Sequence, residues 1–358
     1  MKKQISFHIC YLLLCYLYSF TEVDAVKESH REKYHHHLHQ YGLVKLFVFG
    51  DSYADTGNWE KSAISWKQPY GITFPGRPAG RFSDGRVLTD YIASFLGIES
   101  PVPYSRWKQT SKKQSLKYGM NFAYGGTGVF DTLNKEPDMG TQINLFQQLL
   151  EEKVYTKQDL NSSIALVSLA GNDYNTYLYK NGDLKDLPKF TASIIKQLSE
   201  NLKRINGLGV QKIAVTGLQP VGCLPAFAAS SSYQNCSESW NRASKLHNQM
   251  LKQEVQKLNN DTHSQKHVFE ILDLFSAFMH AFNKTLYPES LNSESSLKPC
   301  CEGVTSDSSC GDIDKNGTIK YVICNNPEVS IFWDIVHPSQ NGWYQVYLTL
   351  KSSLHKLY

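Results

Sequence analysis

Val44-Lys45-Leu46-Phe47-Val48-Phe49-Gly50-Asp51-Ser52 is the stretch on which the fold turns. Its apolar run is short, rich in Val and Phe, and does not alternate with polar residues, as expected of a strand buried on both faces. The run stops at a glycine followed by two hydrogen-bonding side chains, the chemistry of a loop at the end of a sheet. Four later runs have the same form: residues 118–124 lead into Gly125-Gly126, 164–169 into Gly171-Asn172-Asp173, 213–216 into Gly217, and 268–272 into Asp273. Between them, Ile143/Phe146/Leu149/Leu150, Ile194/Ile195/Leu198/Leu202/Ile205 and Leu246/Met250/Leu251/Val255/Leu258 recur at helical spacing, one apolar face per helix. Buried strands alternating with amphipathic helices predict an α/β fold: a parallel sheet covered on both faces, with ligands at the carboxyl ends of the strands.

Composition narrows the function. The 358 residues are 41% hydrophobic and 20% charged, which suits a folded chain with a sizeable core. Thirty-seven basic against 33 acidic residues leave a net charge of +4, with no basic cluster, so a nucleic-acid partner is not expected. No internal repeat and no Pro/Gly/Ser-rich linker divides the chain.

Residues 1–25 read as a secretory signal: Lys2 and Lys3 precede an apolar run, and Val23-Asp24-Ala25 supplies small residues for cleavage. The run is too short for a membrane anchor, and no later segment reaches spanning length. Residues 26–358 are then the mature chain, expected outside the cell, with a polar leader in which His35, His36, His37 and His39 read as solvated rather than metal-binding. Six cysteines remain (Cys223, Cys236, Cys300, Cys301, Cys310, Cys324), an even set in an oxidising compartment, so disulfides are favoured over a zinc site. Cys223 with Cys236 closes one short loop, and the other four staple residues 300–324 in an open connectivity. Sequons at Asn161, Asn235, Asn260, Asn283 and Asn316 are glycosylation candidates, although Cys236 beside Asn235 works against modification there.

Serine hydrolysis needs a nucleophile, a histidine, a carboxylate to orient it, and donors for the oxyanion. Downstream of residue 25 only His337 has an aspartate three residues before it, in Asp334-Ile335-Val336-His337-Pro338. Ser52, just past the first strand, is placed either to cap a helix or to act as a nucleophile at the mouth of the sheet. No G-x-S-x-G occurs, which disfavours the nucleophile elbow of α/β-hydrolases.

With these residues in view, the chain resembles a plant-type GDSL esterase/lipase of the SGNH hydrolase superfamily. Gly50-Asp51-Ser52, the glycine block from Asn121 to Gly126, Gly171-Asn172-Asp173 and the acid and base block from Asp334 to Pro338 match its four motifs in order. Gly76 to Gly85, Gly222 to Pro225 and the Cys300-Cys301 pair are similar too. The resemblance implies a flavodoxin-like three-layer α/β/α sandwich with about five parallel strands, and one domain, since positions 52 and 337 must meet. It further implies Ser52 as nucleophile, His337 as base, Asp334 as its orienter, and Gly125, with Gly126 as rival, and Asn172 as oxyanion donors. One departure stands out: Tyr53 occupies the position of the family's leucine.

The expected reaction is hydrolysis of a small-molecule, lipid or acylated-carbohydrate ester through an acyl-enzyme, with no metal or organic cofactor required. Acyl transfer, carbohydrate deacetylation and a non-catalytic binding protein are the competing readings. Tyr53, Trp59, Trp66, Tyr70 and Phe74 follow the nucleophile, and packing is favoured for them over an acyl pocket.

Overall fold

A computed structural model describes residues 44–110, 116–261, 267–285 and 295–357. The signal of residues 1–25, the start of the mature chain near Val26 and the histidine tract lie outside the described residues. β1 (Lys45–Gly50) is buried from its second residue to its last. Successive side chains of a strand face opposite ways. Phe47 and Phe49 meet the Phe146 ring at 4.6 and 5.7 Å on one face, and Leu46 and Val48 are equally buried on the other.

Around β1 stand β2 (Val102–Pro103), β3 (Gly119–Asn121), β4 (Ser163–Ser168), β5 (Lys212–Thr216) and β6 (Phe269–Leu272). The order across the sheet is β2-β3-β1-β4-β5-β6, and every pairing is parallel. The sheet thus has six strands rather than about five. The addition is β2, whose two residues pair with Met120 and Asn121 and are too few to make an apolar run.

The helices that cover the sheet are α1 (Leu88–Phe95), α2 (Met139–Glu151), α3 (Gly171–Tyr179), α4 (Leu187–Gly207), α5 (Glu238–Asp261), α6 (Leu274–Thr285) and α7 (Gln340–Leu354). One face carries α2, α4 and α5, whose Ile143, Phe146, Ile194, Leu198, Leu251 and Val255 share a core with Phe47, Val167 and Val215. Against the other face α7 packs between α1 and α6, completing three layers. The first half of α5 departs from expectation: its inward positions are Asn241, Ser244 and His247, while Leu246 and Met250 are only half-buried.

From β1 the chain runs out to the edge at β2, returns to β3, then crosses to β4 on the other side. The strand order therefore reverses at β1, and such a switch point leaves a crevice beyond the carboxyl ends of the strands. The loops after β1, β3 and β4 open into that crevice. Cys223 pairs with Cys236, Cys300 with Cys324 and Cys301 with Cys310. The last two bridges frame an antiparallel ribbon, β7 (Cys301–Gly303) with β8 (Tyr321–Ile323). Their sulfurs pack in a buried cluster with Tyr70 and Trp333. All five sequon asparagines occupy exposed positions.

The segment between β1 and α1 has little regular structure and is anchored by an ion pair. Arg81 reaches Asp90 through Nε at 2.8 Å and a terminal nitrogen at 2.7 Å, with both side chains largely buried. Asp90 also accepts from the Val87 N–H and the Ser100 hydroxyl, fixing the start of α1. Removing one partner of a buried pair leaves the other charge uncompensated. Arg81→Met is expected to cost about 3–5 kcal/mol of unfolding free energy, read from urea unfolding beside the wild type; a loss under about 1 kcal/mol would show that the pair is not an anchor.

Candidate active site

Gly50 ends β1 with both backbone groups held by the buried Gln142: its N–H donates to Oε1 at 2.8 Å and its carbonyl accepts from Nε2 at 3.0 Å. A Cβ there would lie 2.4 Å from the Ser168 carbonyl oxygen, so only glycine lets β1 pass so close to β4. The chain then turns, with the Asp51 carbonyl accepting from the N–H groups of Ala54 and Asp55. Ser52 rides on this turn, buried but facing a cavity. Asp55 gathers the N–H groups of Gly57, Asn58, Trp59 and Gly125 at 2.7 to 3.3 Å, tying the loop after β1 to the loop after β3.

The other half of the site arrives from far along the chain. His337 Nε2 stands 2.9 Å from Ser52 Oγ, and its Nδ1 stands 2.8 Å from Asp334 Oδ2. Asp334 Oδ1 accepts the N–H groups of Val336 and His337, both at 2.8 Å, so the three-residue spacing closes a loop around its own carboxylate. Burial works against the Asp334 charge, but His337, the Tyr70 hydroxyl and these N–H groups together hold its pKa below the usual carboxylate range. The Tyr70 hydroxyl donates to Asp334 Oδ2 at 2.7 Å. Tyr53 donates its hydroxyl to the Val336 carbonyl at 2.9 Å, and the Phe82 ring lies 4.9 Å from the imidazole.

Asn172 stands in the first turn of α3. Its Nδ2 donates to the Thr127 carbonyl at 2.9 Å and approaches Asp51 Oδ2 at 3.4 Å. Immediately before α3, Ala170 has a φ of 113°, a strained conformation for a residue with a Cβ. The two glycines of the β3 loop differ. The Gly125 N–H is spent on Asp55 at 3.0 Å, whereas the N–H groups of Gly126 and of Ser52 have no partner among the described residues.

Ser52, Asp334, His337 and Asn172 are thus brought to one crevice. Sequence reasoning missed Tyr70, Gln142 and Asp55 as supports: Tyr70 and Gln142 lie in different segments from the groups they hold, and Asp55 joins its own loop to Gly125, 70 residues on, with no spacing to reveal the link. A cavity of about 210 Å³ opens beside Ser52. Of the aromatics at 53, 59, 66, 70 and 74 only Tyr53 lines it. Trp59 packs on Phe82, Tyr70 on Trp333, and Phe74 lies under Arg86, while the Trp66 indole N–H donates to the Trp59 carbonyl. The cavity wall comes instead from residues of 168–178 and 216–240.

A three-layer sandwich with a serine, a histidine and an aspartate hydrogen-bonded in line at the switch point of its sheet has the architecture of an SGNH-type hydrolase. Residues 46–346 match the GDSL-like lipase/acylhydrolase family, to which the chain belongs, and it is a carboxylic ester hydrolase. A GDSL esterase/lipase of Arabidopsis thaliana is 50% identical over 99% of this chain and 98% of its own length. A second from the same plant is 46% identical over 97% and 98%. Among solved structures, an acetyl xylan esterase from Geobacillus stearothermophilus is 15% identical with a TM-score of 0.37, covering 87% of this chain and 94% of its own. That likeness is too slight to carry a substrate. No helix among the described residues is long and apolar enough to cross a membrane.

Three carboxyls beside the site are buried. Burial pushes Asp51 up to about 7, against the Tyr53 N–H and His337, which favour its charge. Burial likewise lifts Asp55 and Asp173 to about 6, against the backbone N–H groups that each accepts. Between about pH 4 and 7 the folded chain therefore keeps protons that the unfolded chain has released, and stability falls as pH rises through that window. Each group contributes a slope of at most about 1.4 kcal/mol per pH unit. Asp51→Asn keeps an oxygen for the Tyr53 N–H and removes one such titration. It is expected to melt above the wild type at pH 8, with the gap closing toward pH 4; a gap independent of pH would refute the shift.

Proposed function

We propose that the chain is a secreted serine esterase in which Ser52 is the nucleophile, His337 the general base and Asp334 the group that orients and stabilises it. The observation that carries this reading is the continuous relay from Ser52 Oγ to His337 Nε2 at 2.9 Å and from Nδ1 to Asp334 at 2.8 Å. With the Nδ1 proton held by the carboxylate, Nε2 is left as the acceptor for the serine proton. Oγ then attacks the ester carbonyl, and the leaving alcohol takes the proton back from Nε2. Water, deprotonated by the same nitrogen, opens the acyl-enzyme.

The oxyanion is assigned to the Ser52 N–H, the Gly126 N–H and the Asn172 amide, whose Nδ2 gives one hydrogen to the Thr127 carbonyl at 2.9 Å and has only a long 3.4 Å contact with Asp51 Oδ2 for the substrate to replace. Gly126 takes the place expected of Gly125, because a donor already bound to the Asp55 carboxylate is not available to the substrate. The strain at Ala170 is consistent with a loop held so that Asn172 faces the serine.

Export is proposed on the signal-like residues 1–25, with residues 26–358 as the mature single-domain chain. The three disulfides support an oxidising destination, and the exposed sequons at Asn161, Asn235, Asn260, Asn283 and Asn316 are open to glycosylation there.

A fluorophosphonate probe is expected to label the native protein at Ser52 and to leave Ser52→Ala unlabelled. Labelling that survives this substitution would move the nucleophile elsewhere. Asn172→Ala is expected to lower kcat by roughly 10² to 10³ with KM little changed, since an oxyanion donor bonds best when the oxygen carries charge. A normal kcat with a lowered Tm would reduce Asn172 to a turn residue.

A further inference from the structure

The cavity beside Ser52 has a character that narrows the substrate. Its wall is mostly apolar, with Leu178, Leu218, Leu224, Phe227, Trp240 and Leu274 contributing. Several of its polar groups are already engaged. Gln219 donates to the Tyr53 hydroxyl at 3.2 Å, and the Tyr174 hydroxyl bonds Thr191 and His247. Among the described residues no lysine, arginine, histidine or glutamate is on the wall and Asp51 is its only carboxyl, so none of them would neutralise an anionic acyl group. Such a lining suits a hydrocarbon chain.

Size sets the length. At about 30 Å³ for each water-sized group, 210 Å³ holds about seven such groups, and a methylene is of similar bulk. An acetyl group would leave most of that space without contacts.

One side of the cavity is braced. Leu224, Ala226 and Phe227 lie inside the loop closed by the Cys223–Cys236 bridge, and Val221 and Trp240 flank it on either side. The segment is pinned further by the Ser237 N–H on the Gly222 carbonyl at 2.8 Å and by the Ala226 N–H on the Ile335 carbonyl at 3.0 Å. The Phe227 and Trp240 rings pack at 5.2 Å. The second of those hydrogen bonds ties this wall to the loop that carries Asp334 and His337.

We propose that this cavity is the acyl-chain site and that it selects unbranched acyl groups of about six to eight carbons, with the disulfide-closed segment as its fixed wall. The proposal rests on Ser52 being the nucleophile. Each methylene taken from water into such a wall raises kcat/KM about fourfold. The test is a series of p-nitrophenyl esters from acetate to palmitate, run with the secreted protein, Leu178→Trp and Phe227→Ala, alongside fluorophosphonate labelling of each.

In the wild type kcat/KM is expected to climb at least 100-fold from acetate to a maximum between hexanoate and octanoate, then stop rising. Leu178→Trp should fill the cavity and cut the octanoate to butyrate ratio at least tenfold. Phe227→Ala should widen it and move the maximum toward longer chains. A labelled enzyme with a flat profile, or one that prefers acetate, overturns the acyl-length proposal and leaves the serine mechanism standing. A labelled enzyme whose maximum is the same in both variants overturns the assignment of the chain to this cavity. A protein that neither labels at Ser52 nor turns over any ester of the series removes the mechanism and this inference together.

Discussion

The 2.9 Å contact between Ser52 Oγ and His337 Nε2 joins residues 285 positions apart, and much of the architecture serves to keep that distance. Ser52 is fixed by the sheet, because β1 lies at its centre, bonded on both sides. His337 has no strand to hold it and precedes α7 in an irregular loop. Its position depends on a set of separate tethers. The Trp333 N–H donates to the His337 carbonyl, the Cys300 and Cys301 N–H groups donate to the carbonyls of Phe332 and Trp333, and the Gln340 N–H donates to Asp84. The disulfide ribbon is thus a brace for the loop of Asp334 and His337, since the backbone of its paired cysteines holds the residues just before Asp334.

Buried carboxylates do the same work on the nucleophile side. Asp55 accepts from the loops after β1 and β3, and Asp173 accepts the N–H groups of Val129 and Phe130 while sitting in α3. Irregular loops leave backbone donors without a ladder, and a buried donor left unpaired is costly. A single carboxylate that collects several of them fixes the loop at the expense of its own desolvation, which is why these groups titrate high. The same network creates selectivity among donors. Asp55 takes the Gly125 N–H, while the Gly126 N–H has no partner among the described residues.

How much of this was legible in the sequence depended on whether the information was local. Parallel strands buried on both faces leave continuous apolar runs, so β1, β3, β4, β5 and β6 could be read, and α4 buried the face its spacing marked. β2 has too few residues to leave a pattern, and the first half of α5 turns polar residues inward against the segment at 221–223, where Gly222 donates to Asn241 and Val221 to Ser244. The pairing among Cys300, Cys301, Cys310 and Cys324 was open because adjacent Cys300 and Cys301 do not easily bridge to each other, and either can take Cys310 or Cys324 until the ribbon's register is known. The cavity wall left no local signal for a related reason. Its residues come from five separate stretches of the chain, and no spacing announces that they meet.

Tyr53 brings these strands of argument together. At the position where the family name carries a leucine, this chain has a ring that packs edge-on against Trp343 of α7 at 5.0 Å, much as an aliphatic side chain would fill the space. The hydroxyl is the difference. It donates to the carbonyl of Val336, the residue before His337, and receives the Gln219 amide from the cavity wall. One side chain next to the proposed nucleophile therefore touches the base loop and the wall of the proposed acyl site, so that the three parts are referenced to a single atom. A leucine could supply the packing but neither hydrogen bond, and would leave the Gln219 amide to find another partner. The departure from the family motif is best understood as an added strut across the site, placed where the sheet is most rigid.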